Sequence, residues 1–346
     1  MATISRRHHN TQVNNNTHHQ RDFITEEIEG LIRVHRNGHV ERPTIMPNVS
    51  TKTSSNGVTA RDVIINKDTN LWARIYVPSI INTNLIIPLL VYFHGGGFCI
   101  GSAAWKCYHE FLTNLASKAS CVIVSVDYKL APENPLPAAY DDGFNALMWV
   151  KREAHNVSSS VQKWWLSHCN LSCIFLAGDS AGANIAYNVA TRLSTSSGAS
   201  SILNPLSVKG IILIQPFFGG DERTFSEKHS LQPPNSALTL SVSDTYWRLA
   251  LPYGANRDHP YCNPIVPNAN KLRDIRIPHI LVCVSELDIL KDRNLEFSNT
   301  LAKAGKKVEV VTYKGVGHAF QVLNNYQLSH SRTQEMISHI TTFLTS

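Results

Sequence analysis

The stretch "IFLAGDSAGANIAYNVA", residues 174–190, decides how this chain is read. An apolar run, Ile174 to Ala177, meets Gly178-Asp179-Ser180-Ala181-Gly182, and a helix-like segment follows over 181–195. A G-x-S-x-G pattern between a strand and a helix is the context of a nucleophile elbow. The tight turn strains the serine backbone, and bulky neighbours would collide there. Glycines two residues to either side relieve that crowding. The following helix aims its free N–H groups at the serine, where they can stabilise an anion. Ser180 is therefore read as a catalytic nucleophile rather than as the serine cap of a glycine-rich helix start.

Outward from this point, apolar runs alternate with helical patterns. "RDVIIN" (61–66) and "LWARIYVP" (71–78) read as an early hairpin. Strand-like runs follow at 88–97, 121–128, 173–180, 209–216, 279–288 and 307–315. From residue 88 on they are mostly unbroken rather than alternating, which marks strands buried on both faces. Helical patterns lie between them at 107–119, 136–151, 181–195, 290–304 and 331–345. This alternation predicts an α/β fold with a mostly parallel sheet flanked by helices. Residues 217–260 interrupt the pattern, and a long excursion of this kind suits a lid or binding segment. Its aromatic residues Phe217, Phe218, Tyr246, Trp247 and Tyr253 suit an apolar pocket wall.

A second motif, His94-Gly95-Gly96-Gly97-Phe98, ends the strand run that starts at residue 88. Consecutive glycines let backbone N–H groups approach a ligand oxygen with no β-carbon in the way. In acyl transfer such donors must sit where negative charge develops. The HGGG pattern is the one that esterases use for an oxyanion hole, together with the N–H after the nucleophile, here Ala181. A phosphate loop is excluded, because "GGGFCIGS" lacks the Gly-Lys-Ser/Thr ending. His94 is read as fixing this loop.

A serine hydroxyl needs a base to take its proton. Among 16 histidines, His318 stands in "YKGVGHAF", just after the last strand run. Acyl hydrolases of this kind run serine, acid, histidine along the chain. "SELDILKDR" supplies Asp288 in that order, with Glu286 and Asp292 as its competitors. The carboxylate would orient the imidazole and stabilise its protonated form.

Composition narrows the remaining classes. The chain has 346 residues, 43% hydrophobic and 17% charged, which suits a globular protein with a large core. Its net charge of +6 is dispersed, so no nucleic-acid surface is expected. No apolar run approaches the ~18 residues of a membrane span. The seven cysteines form no CxxC pair, and buried reduced thiols are expected. Residues 1–22 read as a polar, disordered tail, ahead of one domain over 23–346. The tail lacks the apolar stretch of a secretory signal, which favours the cytoplasm and leaves the nucleus open. Its single acidic residue, Asp22, also leaves room for a transit peptide.

With these motifs assembled, the chain resembles the plant carboxylesterases of the hormone-sensitive-lipase-like group of α/β hydrolases. The matching stretches are "VYFHGGGFCIGSA", "VSVDYKLAPENPLPAAYDDG", "FLAGDSAGANIAYNVA", "VSELDILKDRN" and "KGVGHAF". The resemblance implies a central sheet with helices on both faces. It also implies a helical cap, built here from about 23–55 and 217–260. It makes Ser180 the nucleophile, Asp288 the acid and His318 the base. Gly95, Gly96 and Ala181 would be the oxyanion donors, with Gly97 assisting the turn. The reaction would be hydrolysis of a small-molecule ester, needing neither metal nor organic cofactor. Related branches act as dehydratases or cyclases in the same pocket. Gibberellin receptors of this group lack the histidine and carry a changed glycine motif, whereas His318 and all three glycines stand here.

Overall fold

The apolar runs become the strands of one large sheet. The computed structural model describes residues 23–51, 57–79, 86–155, 163–195, 203–230, 232–233, 236–266 and 269–346. The tail over 1–22 lies outside the described residues. The eight strands are β4 (Val58–Asn66), β5 (Leu71–Pro78), β6 (Ile87–Phe93), β7 (Val122–Asp127), β8 (Cys169–Asp179), β9 (Val208–Ile214), β10 (His279–Ser285) and β11 (Val308–Tyr313). Their spatial order is β11-β10-β9-β8-β6-β7-β5-β4. Pairing is parallel from β11 through β7, and β5 runs antiparallel to both of its neighbours.

The helices are α1 (Lys106–Ala119), α2 (Ala138–His155), α3 (Lys163–Leu166), α4 (Ala181–Thr195), α5 (Phe225–His229), α6 (Leu240–Ala250), α7 (Ala269–Asp274), α8 (Lys291–Lys303), α9 (Phe320–Leu323) and α10 (Ser329–Thr345). They cover both faces of the sheet, which is why its inner strands need no polar face, whereas the edge strands β4 and β11 keep exposed positions. In β6, Leu89, Val91 and Phe93 join the core under α2, α4 and α8. Leu90 and Tyr92 join the core under α1 and α10. Truncating one such fully buried leucine to alanine costs about 2–5 kcal/mol.

Two differences from the sequence reading have simple causes. β6 stops at Phe93, because the glycines after it turn the chain instead of extending the strand. Residues 23–41 contain a three-stranded antiparallel sheet, β1 (Ile24–Ile28), β2 (Ile32–His35) and β3 (Val40–Glu41), with no helix among them. Gly30 and Gly38 supply the positive-φ turns that let these short strands fold back on each other. This small sheet meets α6 through a two-pronged pair in which Arg248 Nε and Nη2 each lie 2.9 Å from the Glu26 carboxylate.

No helix among the described residues is long and apolar enough to cross a membrane. All seven cysteines are unpaired, and six of them are buried.

Candidate active site

Ser180 joins the end of β8 to the start of α4 with φ at 52°, in the left-handed region that non-glycine residues rarely adopt. Its N–H donates to the Ile214 carbonyl at 2.8 Å, and its own carbonyl accepts from the Phe217 N–H at 3.0 Å. The neighbouring strand β6 runs very close to this turn. A β-carbon at position 178 would stand 2.7 Å from the Phe93 carbonyl oxygen, and one at position 182 would overlap the same oxygen. Only glycine at both positions lets β6, β8 and α4 converge on the serine.

His318 lies in the loop between β11 and α9, and Asp288 just past the end of β10. His318 Nε2 is 2.8 Å from Ser180 Oγ, and His318 Nδ1 is 2.7 Å from Asp288 Oδ2. All three side chains are buried. The second Asp288 oxygen accepts the Leu290 N–H at 3.0 Å, which fixes the carboxylate plane. The competing acids are engaged elsewhere. Glu286 Oε2 accepts the Gly315 N–H at 2.8 Å, and Asp292 Oδ2 accepts the Ser226 N–H at 2.7 Å. Such a hydroxyl–imidazole–carboxylate line can move a proton from oxygen to nitrogen while the carboxylate stabilises the resulting cation.

A residue that sequence reasoning missed supports the histidine loop. Gln215, just past the end of β9, is fully buried with φ at 46°. Its Oε1 accepts the Ala319 N–H at 2.7 Å, and its Nε2 donates to Ser285 Oγ at 2.7 Å. One amide therefore ties the residue after His318 to the end of β10. The available signal was a lone amide directly after the apolar run "KGIILI".

The glycine loop corrects one assignment. The Gly95 N–H is donated to the Tyr108 hydroxyl at 2.8 Å, so it is not free for a ligand. The N–H groups of Gly96 and Gly97 have no acceptor among the described residues. Ala181 is the first residue of α4, where the N–H has no intrahelical acceptor. Gly96 and Gly97 both take positive φ, at 112° and 59°.

The loop is held from several sides. His94 Nδ1 lies 2.8 Å from the Gly95 carbonyl, and its ring stacks on Tyr128 with centroids 4.3 Å apart. Burial lowers the His94 pKa, favouring the neutral imidazole. The Tyr128 hydroxyl donates to the His94 carbonyl at 2.8 Å. Asp127 Oδ1 accepts from Ser102 Oγ and from the Ala103 N–H, both at 2.7 Å. Arg42 links the N-terminal stretch to this region, donating from Nε to the Cys99 carbonyl at 2.6 Å and pairing with Glu133. The "DYKLAPE" segment thus acts as a buttress for the glycine loop.

The aromatic residues divide. Phe217 and Trp247 stack with centroids 4.6 Å apart, and Tyr246 meets Phe217 edge-on at 6.4 Å. Phe218 does not join them: it packs on Phe297 at 4.6 Å and Tyr187 at 5.9 Å, among the helices covering the sheet. Tyr253 is fully exposed and lines no pocket wall. Among the described residues, no group of three His, Cys, Asp or Glu side chains could hold a metal ion.

Residues 90–322 match the α/β-hydrolase-fold family, and the chain belongs to it. It is 45% identical to probable carboxylesterase 6 of Arabidopsis thaliana, over 97% of this chain and 96% of that protein. It is also 33% identical to a 2-hydroxyisoflavanone dehydratase of Glycyrrhiza echinata, over 93% of this chain and 96% of that protein. Similarity to gibberellin receptor GID1A of Arabidopsis thaliana is 38% identity, over 82% of this chain and 81% of the receptor. Among solved structures, a Pyrobaculum calidifontis esterase superposes with a TM-score of 0.64 at 28% identity, covering 82% of this chain and 84% of that one. Fold and kinship together make the protein a hydrolase.

Proposed function

We propose that the protein is a carboxylic-ester hydrolase working through an acyl-enzyme on Ser180. One arrangement carries the reading: His318 Nε2 stands 2.8 Å from Ser180 Oγ while its Nδ1 stands 2.7 Å from Asp288. Ser180 Oγ attacks the ester carbonyl as His318 Nε2 takes the hydroxyl proton. Asp288 holds the imidazolium. The N–H groups of Gly96, Gly97 and Ala181 receive the oxyanion. Collapse of the tetrahedral adduct expels the alcohol, which leaves with the proton from His318. Water then gives a proton to the same nitrogen and attacks the acyl carbon, and the carboxylic acid departs as Ser180 regains its proton.

In this reading, residues 23–51 and 217–260 cap the site, with Phe217, Tyr246 and Trp247 walling the substrate. The contacts supporting the cap are Glu26 with Arg248, and Arg42 with the Cys99 carbonyl. Seven unpaired thiols fit a cytoplasmic setting.

The test is turnover of a short-chain aryl ester by the wild type and Ser180→Ala. The substitution should lower kcat/KM by at least ~10⁴-fold. Equal turnover in both overturns the reading. Kinship to a dehydratase favours one second reading, elimination in the same pocket. Reaction in ¹⁸O-water separates the two, because only hydrolysis places solvent oxygen in the released acid. Organophosphate labelling of Ser180 would count against a pure binding role.

A further inference from the structure

Directly before Ser180 stands a carboxylate with no part in the relay above. Asp179 is buried, and two phenols converge on it: Tyr92 donates to Oδ1 at 2.7 Å and Tyr108 to Oδ2 at 3.0 Å. Tyr92 comes from β6 and Tyr108 from α1, so the carboxylate joins both to the elbow. The two phenols differ in one respect. Tyr108 Oη also accepts the Gly95 N–H at 2.8 Å, and no such link runs from Tyr92. Gly95 itself packs on the acid, since a β-carbon there would lie 2.7 Å from Asp179 Oδ2. A phenol that gives its proton to a carboxylate presents its lone pairs to the next donor, and the ionised acceptor strengthens the chain.

From this geometry we propose that Asp179 and Tyr108 are positioning residues for the glycine loop. The carboxylate fixes the Tyr108 hydroxyl, the hydroxyl takes the first glycine N–H, and the peptide plane so set leaves the N–H groups of Gly96 and Gly97 for the substrate oxyanion. The inference rests on the hydrolase reading and assigns its oxyanion geometry to a chain of hydrogen bonds starting beside the nucleophile. It also gives a reason for an acid at this position: an apolar side chain there would leave two buried phenols without an acceptor.

The experiment compares Tyr108→Phe with Tyr92→Phe on the ester substrate, alongside wild type and Ser180→Ala. Each Phe variant removes one buried hydroxyl from the same carboxylate, so a merely structural role predicts similar effects. The inference predicts a split. Tyr108→Phe should lower kcat by about 10²-fold with KM changed little, the scale of an ångström-sized misplacement at a reacting centre. Tyr92→Phe should stay within severalfold of wild type. Equal kcat values for the two variants overturn the proposal. Absence of wild-type turnover would instead count against the hydrolase reading. If Tyr108→Phe does not fold, amide exchange in the wild-type protein decides: a protected Gly95 N–H beside fast-exchanging Gly96 and Gly97 supports the proposal, and equal rates at all three overturn it.

Discussion

The phenol ring of Tyr246 occupies the space that a β-carbon on Gly97 would need, with Cδ1 only 2.5 Å from that position. Helix α6 therefore rests directly on the glycine loop, and the two elements cannot be adjusted separately. Gly97→Ala adds a methyl group where the ring already lies and holds alanine at a φ of 59°. The loop must move, and one of the proposed oxyanion donors is lost with it. Turnover should fall by about 10²-fold or more, the usual effect of removing one such donor. Adding Tyr246→Ala should restore part of that loss by removing the collision, with the backbone strain remaining. Ester kinetics on the two single variants and the double variant check this. Wild-type kcat in Gly97→Ala would mean that the N–H at this position is not used.

Each feature of the site is visible in the sequence only as far as its cause is local. The elbow was legible because its constraint is local: sterics demand small residues at 178 and 182, and the sequence has them. Asp288 and His318 were legible because parallel strands deliver their following loops to one edge of the sheet, so chain order becomes spatial order. The Gly95 amide was not legible. Its direction is set by the Tyr108 hydroxyl, 13 residues later on a different element, and no local pattern encodes that bond. The same holds for Gln215, whose partners lie 70 and 104 residues away. Residues 23–41 were hidden for another reason: strands of 5, 4 and 2 residues are too short for alternation to register. In α5, by contrast, the sequence carries a local signal. Thr224-Phe225-Ser226-Glu227 is a capping-box spacing, and Glu227 Oε2 accepts the Thr224 N–H at 2.8 Å.

Asp179 gives a prediction in pH. Burial pushes its carboxyl from an ordinary 3.8 up to about 6, against the donors Tyr92 and Tyr108 and the pull of His318. Cys107 and Tyr128 also face it electrostatically. Folding thus holds the Asp179 proton more tightly than the unfolded chain does, while at neutral pH the group is the carboxylate that both phenols donate to. That contribution to stability is fully present below the unfolded value and is lost as pH rises through about 6. Asp179→Asn cannot ionise, so its stability relative to wild type should climb between pH 4 and 7 and level off above. At 1.36 kcal/mol per pKa step, the climb is roughly 3 kcal/mol. The hydrogen bond lost to asparagine shifts the curve by a constant and leaves the slope untouched. Denaturant unfolding of both proteins at several pH values measures it, and a difference that stays flat across this range would exclude a titrating Asp179.

Gln215→Met keeps the shape of the side chain and removes both of its hydrogen bonds. The Ala319 N–H then loses its buried acceptor, at a cost of about 1–3 kcal/mol. Because that N–H belongs to the residue after His318, kcat should fall while KM holds. Ser285→Ala removes only the second bond and leaves the link from Gln215 to Ala319 in place. It should lose stability and keep most of its turnover. The comparison separates support of the histidine loop from support of the sheet: equal kcat losses in the two variants would assign Gln215 to the sheet alone.

The excursion over 217–260 is fastened to the core by charge as well as by packing. The Glu227 side chain is buried on α5, with Oε2 2.9 Å from Arg293 of α8 and Oε1 3.1 Å from Arg257. Arg257, and Arg223 whose Nη1 lies 3.9 Å from Glu227 Oε1, have a second partner in Asp244, whereas Arg293 is left with the Gly220 and Glu222 carbonyls and the more distant Glu296 once Glu227 is neutral. Glu227→Gln should therefore cost about 3–5 kcal/mol, the usual effect of stripping one partner from a buried pair. Thermal unfolding should drop on the order of 10 °C. Replacing both partners, as in Glu227→Met with Arg293→Met, should cost less than either single change, since two apolar side chains leave no charge unpaired. KM for the ester should rise in Glu227→Gln more than kcat falls, because α5 and α6 belong to the proposed cap and not to the reacting groups. If Glu227→Gln melts within a degree of wild type, the ion pairs contribute nothing net, and the segment is held by the stacking of Phe217 and Trp247 and the packing of Phe218 on Phe297.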